Sequence, residues 1–149
     1  MDLREVIKQD LNTARMMQVA TVKDNQPWNC TVYFAVDDNL NLYWISKPEA
    51  RHSQEIKNNS KVAVAIPVKF DDLTVRGISL EGQATEVVST DEIKEKVKLY
   101  SDKFNRGEDW YKDFAAGNNP HKLYRIKPTK VVLFDRVNFP DNDRQEIIL

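Results

Sequence analysis

The sequence predicts a mainly β protein, a six-stranded antiparallel barrel with helices at its N-terminus, after its third strand and toward its C-terminus. Three observations predict it. Residues 16–22 and 28–36 alternate apolar and polar positions with the period of two of half-buried strands, and the polar turn Lys23-Asp24-Asn25-Gln26-Pro27 joins them. Residues 74–88 read as one long strand punctuated by Gly77 and Gly82, and glycine inside a strand marks a bulge, a barrel corner or a close backbone approach. Helical periodicity is confined to short stretches outside and between these runs.

Taken in order, Leu3, Val6, Ile7 and Leu11 fall at helical spacing among charged residues, so residues 2–12 form an amphipathic helix. In the second strand Trp28, Cys30, Val32, Phe34 and Val36 share one apolar face, expected to be core. Asn29, Thr31, Tyr33 and Ala35 share the other, which is either ordinary solvent-facing sheet or the bed of a flat polar ligand. Cys30, on the apolar face, reads as a small hydrophobe. After the turn Asp37-Asp38-Asn39, residues 40–45 make a third strand ending at Ser46. A short helix from Pro48 or Glu49 to about Lys57 follows, and residues 61–68 and 74–88 are strands joined by a turn at 70–73. Ser89 or Thr90 caps a helix over 91–104, with Ile93, Val97, Tyr100 and Phe104 on one face. Residues 106–120 are loop with a short helix near 109–114, whose Trp110, Tyr111 and Phe114 serve the core or stack on a ligand. Residues 122–135 are a last strand, broken at Pro128, and 139–149 a polar tail with an apolar end.

The 149 residues make one domain, 1–149, large enough to bury about two-thirds of its unfolded surface. With 22 basic against 23 acidic residues, the charge balance argues against a dedicated nucleic-acid binder. No apolar run reaches the length of a membrane span and the N-terminus carries no signal-type core, so a cytoplasmic location is expected. One cysteine excludes an internal disulfide, and two distant histidines argue against a zinc site. No phosphate-binding glycine loop and no nucleophile elbow is present, so any hard chemistry is expected to belong to a cofactor and no catalytic residue is nominated.

The stretch from Ser46 to His52 is the informative one. Ser46 followed by Glu49 reads as a capping box, with Pro48 early in the first turn. Yet Lys47, Arg51 and His52 gather at the positive end of the helix dipole, where acidic residues are favoured. Two readings stand at this point: a solvated cationic rim around an ordinary cap, or an anion site in which backbone N–H groups, the Ser46 hydroxyl and a guanidinium converge on a phosphate.

The segments VATV (19–22), PWNCTVYFAVDDNLNLYWIS (27–46), ARHSQEIKNNSKVAVAI (50–66), ISLEGQATEV (78–87) and YRIKPTKVVLFD (124–135), in this order and spacing, carry a resemblance. The chain resembles the pyridoxamine 5'-phosphate oxidase-like FMN-binding split barrels, within them the subgroup related to general stress protein 26. The resemblance implies a homodimer with FMN at the subunit interface. Its phosphate would be held by the hydroxyl residue ending the third strand, here Ser46 beside Ile45, and by a Ser-Arg-Lys-like triplet, here Ala50-Arg51-His52. Ala50 and His52 depart from that pattern, which removes a hydroxyl and makes one cation dependent on pH. The flavin would lie along Asn29, Cys30, Thr31 and Val32, the second and fourth contributing backbone atoms, and Trp110 would reach the flavin of the other subunit. The longer oxidases' C-terminal substrate segment is absent, so oxidation of pyridoxamine phosphate is not implied. The function expected is that of an FMN-dependent oxidoreductase. The alternatives are a non-catalytic module for a flavin, another phosphorylated ligand or haem, and a stress-associated dimer with a vestigial pocket.

Overall fold

A computed structural model describes residues 1–69 and 75–149. The turn expected at 70–73, and Thr74 as a strand start, lie outside the described residues. Among those described, the order is α1 (Leu3–Thr13), β1 (Met16–Lys23), β2 (Gln26–Tyr33), β3 (Ala35–Val36), β4 (Leu42–Ser46), α2 (Arg51–Asn58), β5 (Lys61–Lys69), β6 (Arg76–Glu86), α3 (Thr90–Phe104), α4 (Glu108–Ala115), β7 (Lys122–Asp135) and β8 (Arg144–Ile148). The strands form one curled antiparallel sheet in the order β2-β1-β5-β6-β7-β4-β3, with β8 paired to β7. This is a split half-barrel with four helices attached, the expected class.

The strand β7 makes the split. Its Leu123 to Ile126 pair with β4, its Lys130 to Phe134 pair with β8, and β6 runs along its other edge from Tyr124 to Asp135. Side chains on the inner face build the main core, from Ile7 and Leu11 of α1 through Met17 and Val19 of β1 to Trp44, Ile66, Leu80, Ile126 and Leu133. A second cluster, Tyr43, Val87, Val97, Phe114 and Leu123, lies under α3 and α4, with Ile45 and Trp110 packed against it.

Among the described residues the expected six strands are eight. The second strand is interrupted at Phe34, whose N–H turns to Arg15 O at 3.2 Å, so that Ala35 and Val36 pair with β4 as a separate strand. The tail forms β8 because Gln145 and Ile147 lean inward while Arg144, Glu146 and Ile148 alternate with them. A short run of mixed polarity carries little strand signal on its own. Pro128 does not break β7; it stands opposite Gly82, where the register shifts by a bulge. The glycine is required there, since a Cβ on Gly82 would lie 2.5 Å from Lys127 O and 2.9 Å from Pro128 Cα. Backbone cannot yield as a side chain can, so Gly82→Ala is expected to destabilise the protein by roughly 1–3 kcal/mol, measured by denaturant unfolding.

Trp28 also departs from expectation. It is 41% exposed, not core: it shares a face with its register partner, the buried Thr21, but stands on the end strand of the sheet path, with its ring against the Arg51 guanidinium of α2. At this level the interior is filled by a polar pair from β1 and α2, and β2 runs as the end strand of the sheet path.

Candidate functional site

The site is built where β4 hands over to α2. Ser46 ends β4 and is 9% exposed. The chain then turns through residues 47–50, closed by Ala50 N–H to Lys47 O at 3.1 Å, and α2 begins at Arg51, later than the sequence signal placed it. The capping box does not form. Ser46 instead shares a 2.6 Å hydrogen bond with His52 Nε2, and the residue in the cap position is Ala50, which has no side chain able to cap. The first bond along the helix runs from Gln54 N–H to Ala50 O at 3.0 Å, so the N–H groups of Arg51, His52 and Ser53 precede it. Ser53 donates to Lys47 O at 2.8 Å and Gln54 Nε2 to Pro48 O at 2.6 Å, which ties the turn down. Ser53 is thus a buried brace for the turn.

Arg51 leaves α2 toward β2. Its Nε donates to Glu55 Oε2 at 2.6 Å, its Cζ stands 4.1 Å from the Trp28 ring centroid, and its side chain is 47% exposed. Glu55 is 3% exposed and also accepts the Thr21 hydroxyl at 3.0 Å. The Arg51 bond holds the Glu55 carboxyl below the usual range against the burial that would raise it. Glu55, Thr21 and the outward role of Trp28 were not visible in the sequence. The Arg51–Glu55 spacing of four is an ordinary helix pair, and nothing local ties it to Thr21.

His52 behaves differently from a second fixed cation. Burial pushes its ring below the ordinary histidine value, with the Glu55 charge pulling the other way, which favours the neutral form. The exposed Lys47 and half-exposed Arg51 supply the positive charge there. The folded state resists a proton on His52 that the unfolded chain accepts below about pH 6.5. The contribution is therefore present above that value and lost as pH falls through it. His52→Gln is expected to show a shallower fall in melting temperature between about pH 7 and 5.5 than the unsubstituted protein, read by circular dichroism.

Along β2, Asn29 and Thr31 are exposed and Tyr33 is 45% exposed, whereas Cys30 and Val32 lean on the core. Burial pushes the Cys30 thiol up, the Val19 backbone opposing, which disfavours the thiolate. Asn29 borders a groove of ≈ 400 Å³ on the outer sheet face, lined also by Ala20, Ala63, Ala65, Ser79 and Lys130. The alanines of VAVAI, Ala63 and Ala65, form this flat, small-residue surface. Trp110 is elsewhere. Its ring packs 5.5 Å from Phe114 and 6.0 Å from Tyr100, with Arg106 Cζ 5.6 Å from its centroid, so within one protomer it is not brought to the α2 start. Ile45 packs its side chain on the same second cluster. Among the described residues no group of three or more His, Cys, Asp or Glu is placed to hold a metal ion, and no helix is long and apolar enough to cross a membrane.

A family model described as pyridoxamine 5'-phosphate oxidase matches residues 3–135. UPF0306 protein PM1958 of Pasteurella multocida (strain Pm70) is 28% identical over 78 residues, 50% of this chain and 52% of that protein, so the match spans about half the length of that curated relative. Among solved structures, the conserved hypothetical protein Rv2991 of Mycobacterium tuberculosis superposes with a TM-score of 0.79 at 20% identity, covering 95% of this chain and 89% of that one. The General Stress Protein 26 of Bacillus anthracis str. Sterne gives 0.73 at 19% identity over 100% of both chains. A FAD-binding protein, mll6688 of Mesorhizobium loti, gives 0.67 at 22% identity, covering 88% of this chain and 92% of that one. At these identities the structural likeness establishes the fold.

Proposed function

The chain belongs to the pyridoxamine 5'-phosphate oxidase family, and on that premise we propose that it binds FMN as a homodimer and works as a flavin-dependent oxidoreductase in the cytoplasm. The observation that carries this reading is the start of α2. Uncapped N–H groups of Arg51, His52 and Ser53 stand beside a half-exposed guanidinium and a Ser46–His52 pair, a donor set suited to a phosphate. Arg51, Ser46, His52 and those N–H groups would hold the phosphate. The isoalloxazine would lie along Asn29 to Val32, on the strand that also carries Trp28, with Ile45 beside Ser46. A bound flavin would supply electron acceptance and release. The chain's own contribution is binding, orientation and exclusion of water.

The homodimer is supported by the flat outer face of Ala20, Ala63, Ala65 and Ser79, exposed or half-exposed, where two sheets could meet closely. Trp110 would then act across the interface, on the partner's flavin. The test is direct: freshly purified protein should be yellow, should release FMN and not FAD on denaturation, and should sediment as a dimer. Colourless monomeric protein that ignores added FMN contradicts the reading. A non-catalytic flavin carrier is a second reading. It is favoured by one observation, that Ala50 stands in the cap position of α2, so no side-chain hydroxyl caps the proposed phosphate site. Flavin that binds but is neither reduced by nicotinamide donors nor reoxidised by acceptors would select it.

A further inference from the structure

Glu55 puts a buried carboxylate inside a site argued to receive an anion. Its side chain is 3% exposed, with Thr21 Oγ1 at 3.0 Å on one oxygen and Arg51 Nε at 2.6 Å on the other. Trp28 covers the same guanidinium, 4.1 Å from its ring centroid. Arg51 is therefore held by α2, β1-supported Glu55 and β2 together. A carboxylate at this distance has two opposed effects. It fixes a long side chain in place, which lowers the ordering cost when a ligand arrives. It also neutralises the charge that the ligand must find, which weakens the attraction. The Trp28 contact decides between them, because the ring keeps a hold on the guanidinium when the Glu55 charge is removed, while the neutralising effect disappears in full.

Resting on the flavin-phosphate reading of this site, we propose that Glu55 is an internal counter-ion for Arg51, one that an incoming phosphate monoester must compete with and that limits how tightly the site holds it. The other titratable groups around it are Lys23 of β1, which acts on it at longer range, and the ring of His52. Binding then consists of an exchange of negative charge on Arg51, with Thr21 keeping the displaced carboxylate solvated by a hydroxyl.

The test compares FMN with riboflavin, which lacks the phosphate, on the full chain. Glu55→Gln preserves the shape, and its amide can still accept from Arg51 and donate to Thr21. It is expected to bind FMN roughly fivefold more tightly with riboflavin unchanged, so that the preference rises by the same factor. Glu55→Asp keeps the charge but withdraws it by one methylene, is expected to fall between, and carries the test if Glu55→Gln does not fold. Equal weakening of both ligands in Glu55→Gln would show that Glu55 only holds the fold, and weakening of FMN alone would show that orientation outweighs charge; either overturns the counter-ion role. Inorganic phosphate, followed through the Trp28 emission that Trp28→Phe removes, separates this claim from the flavin reading. If the unsubstituted protein holds FMN no better than riboflavin, the flavin reading fails. Tighter phosphate binding by Glu55→Gln would still uphold the counter-ion, and equal binding would overturn it.

Discussion

Arg76→Met is expected to destabilise the protein by about 3–5 kcal/mol, the range for removing one partner of a buried charge network. Arg76 opens β6 with its side chain 20% exposed and ties three elements together. Its Nη2 donates to Asp10 Oδ1 of α1 at 2.5 Å, its Nε to Asp10 Oδ2 at 3.1 Å, and its Nε also stands 3.1 Å from Asp135 Oδ2 at the end of β7. Asp135 is 0% exposed and collects Val137 N–H and Asn138 N–H at 3.0 Å each and Asn138 Nδ2 at 2.6 Å. Without the guanidinium, two buried carboxylates would face each other. Burial already raises the Asp10 carboxyl above its usual value, with Arg76 pulling it down, so in the variant it rises further. Asp10 then takes up a proton, and part of the loss should be recovered on going from about pH 7 to 5. Guanidinium unfolding at the two pH values checks this, and a loss under about 1 kcal/mol at neutral pH would show that the network is dispensable.

Arg51→Ala is expected to weaken FMN binding toward the lower end of about 1.5–3 kcal/mol, the range for a hydrogen bond to a charged group, and to leave riboflavin affinity unchanged. The lower end follows from the geometry, since Arg51 is half-exposed and already paired with Glu55. Arg51→Lys should recover little of the loss, because a point charge replaces a planar fork that also stacks on Trp28. Calorimetric titration reads both ligands. Equal losses for FMN and riboflavin would move Arg51 from the phosphate to the fold.

Much of this architecture could be read from periodicity. The spacing of Leu3, Val6, Ile7 and Leu11 defines α1, the alternation from Met16 defines β1, and Gly82 announces the bulge that the backbone of Lys127 and Pro128 imposes. What could not be read depends on contacts far apart in sequence. Thr21 and Glu55 are 34 residues apart, and the Arg51 guanidinium that Trp28 meets at the rim is likewise remote from it in sequence. The capping box failed for a related reason. Ser46 and Glu49 make a correct local signal, but Ser46 is held at the end of β4 by pairing with Lys122, and from there its hydroxyl meets His52 and not the helix N–H groups. The residues named for the site do converge in part: Ser46, Arg51 and His52 meet at the α2 start, while Trp110 packs within the α3–α4 cluster.

The central claim, that the α2 start receives the phosphate of a flavin, is tested most directly by a crystal structure of the protein grown with FMN. The account predicts the phosphate within hydrogen-bond distance of Arg51 and of the N–H groups that open α2, with the ring system along β2. A phosphate bound elsewhere on the barrel, or an Arg51 still engaged by Glu55 alone beside a bound flavin, would contradict it.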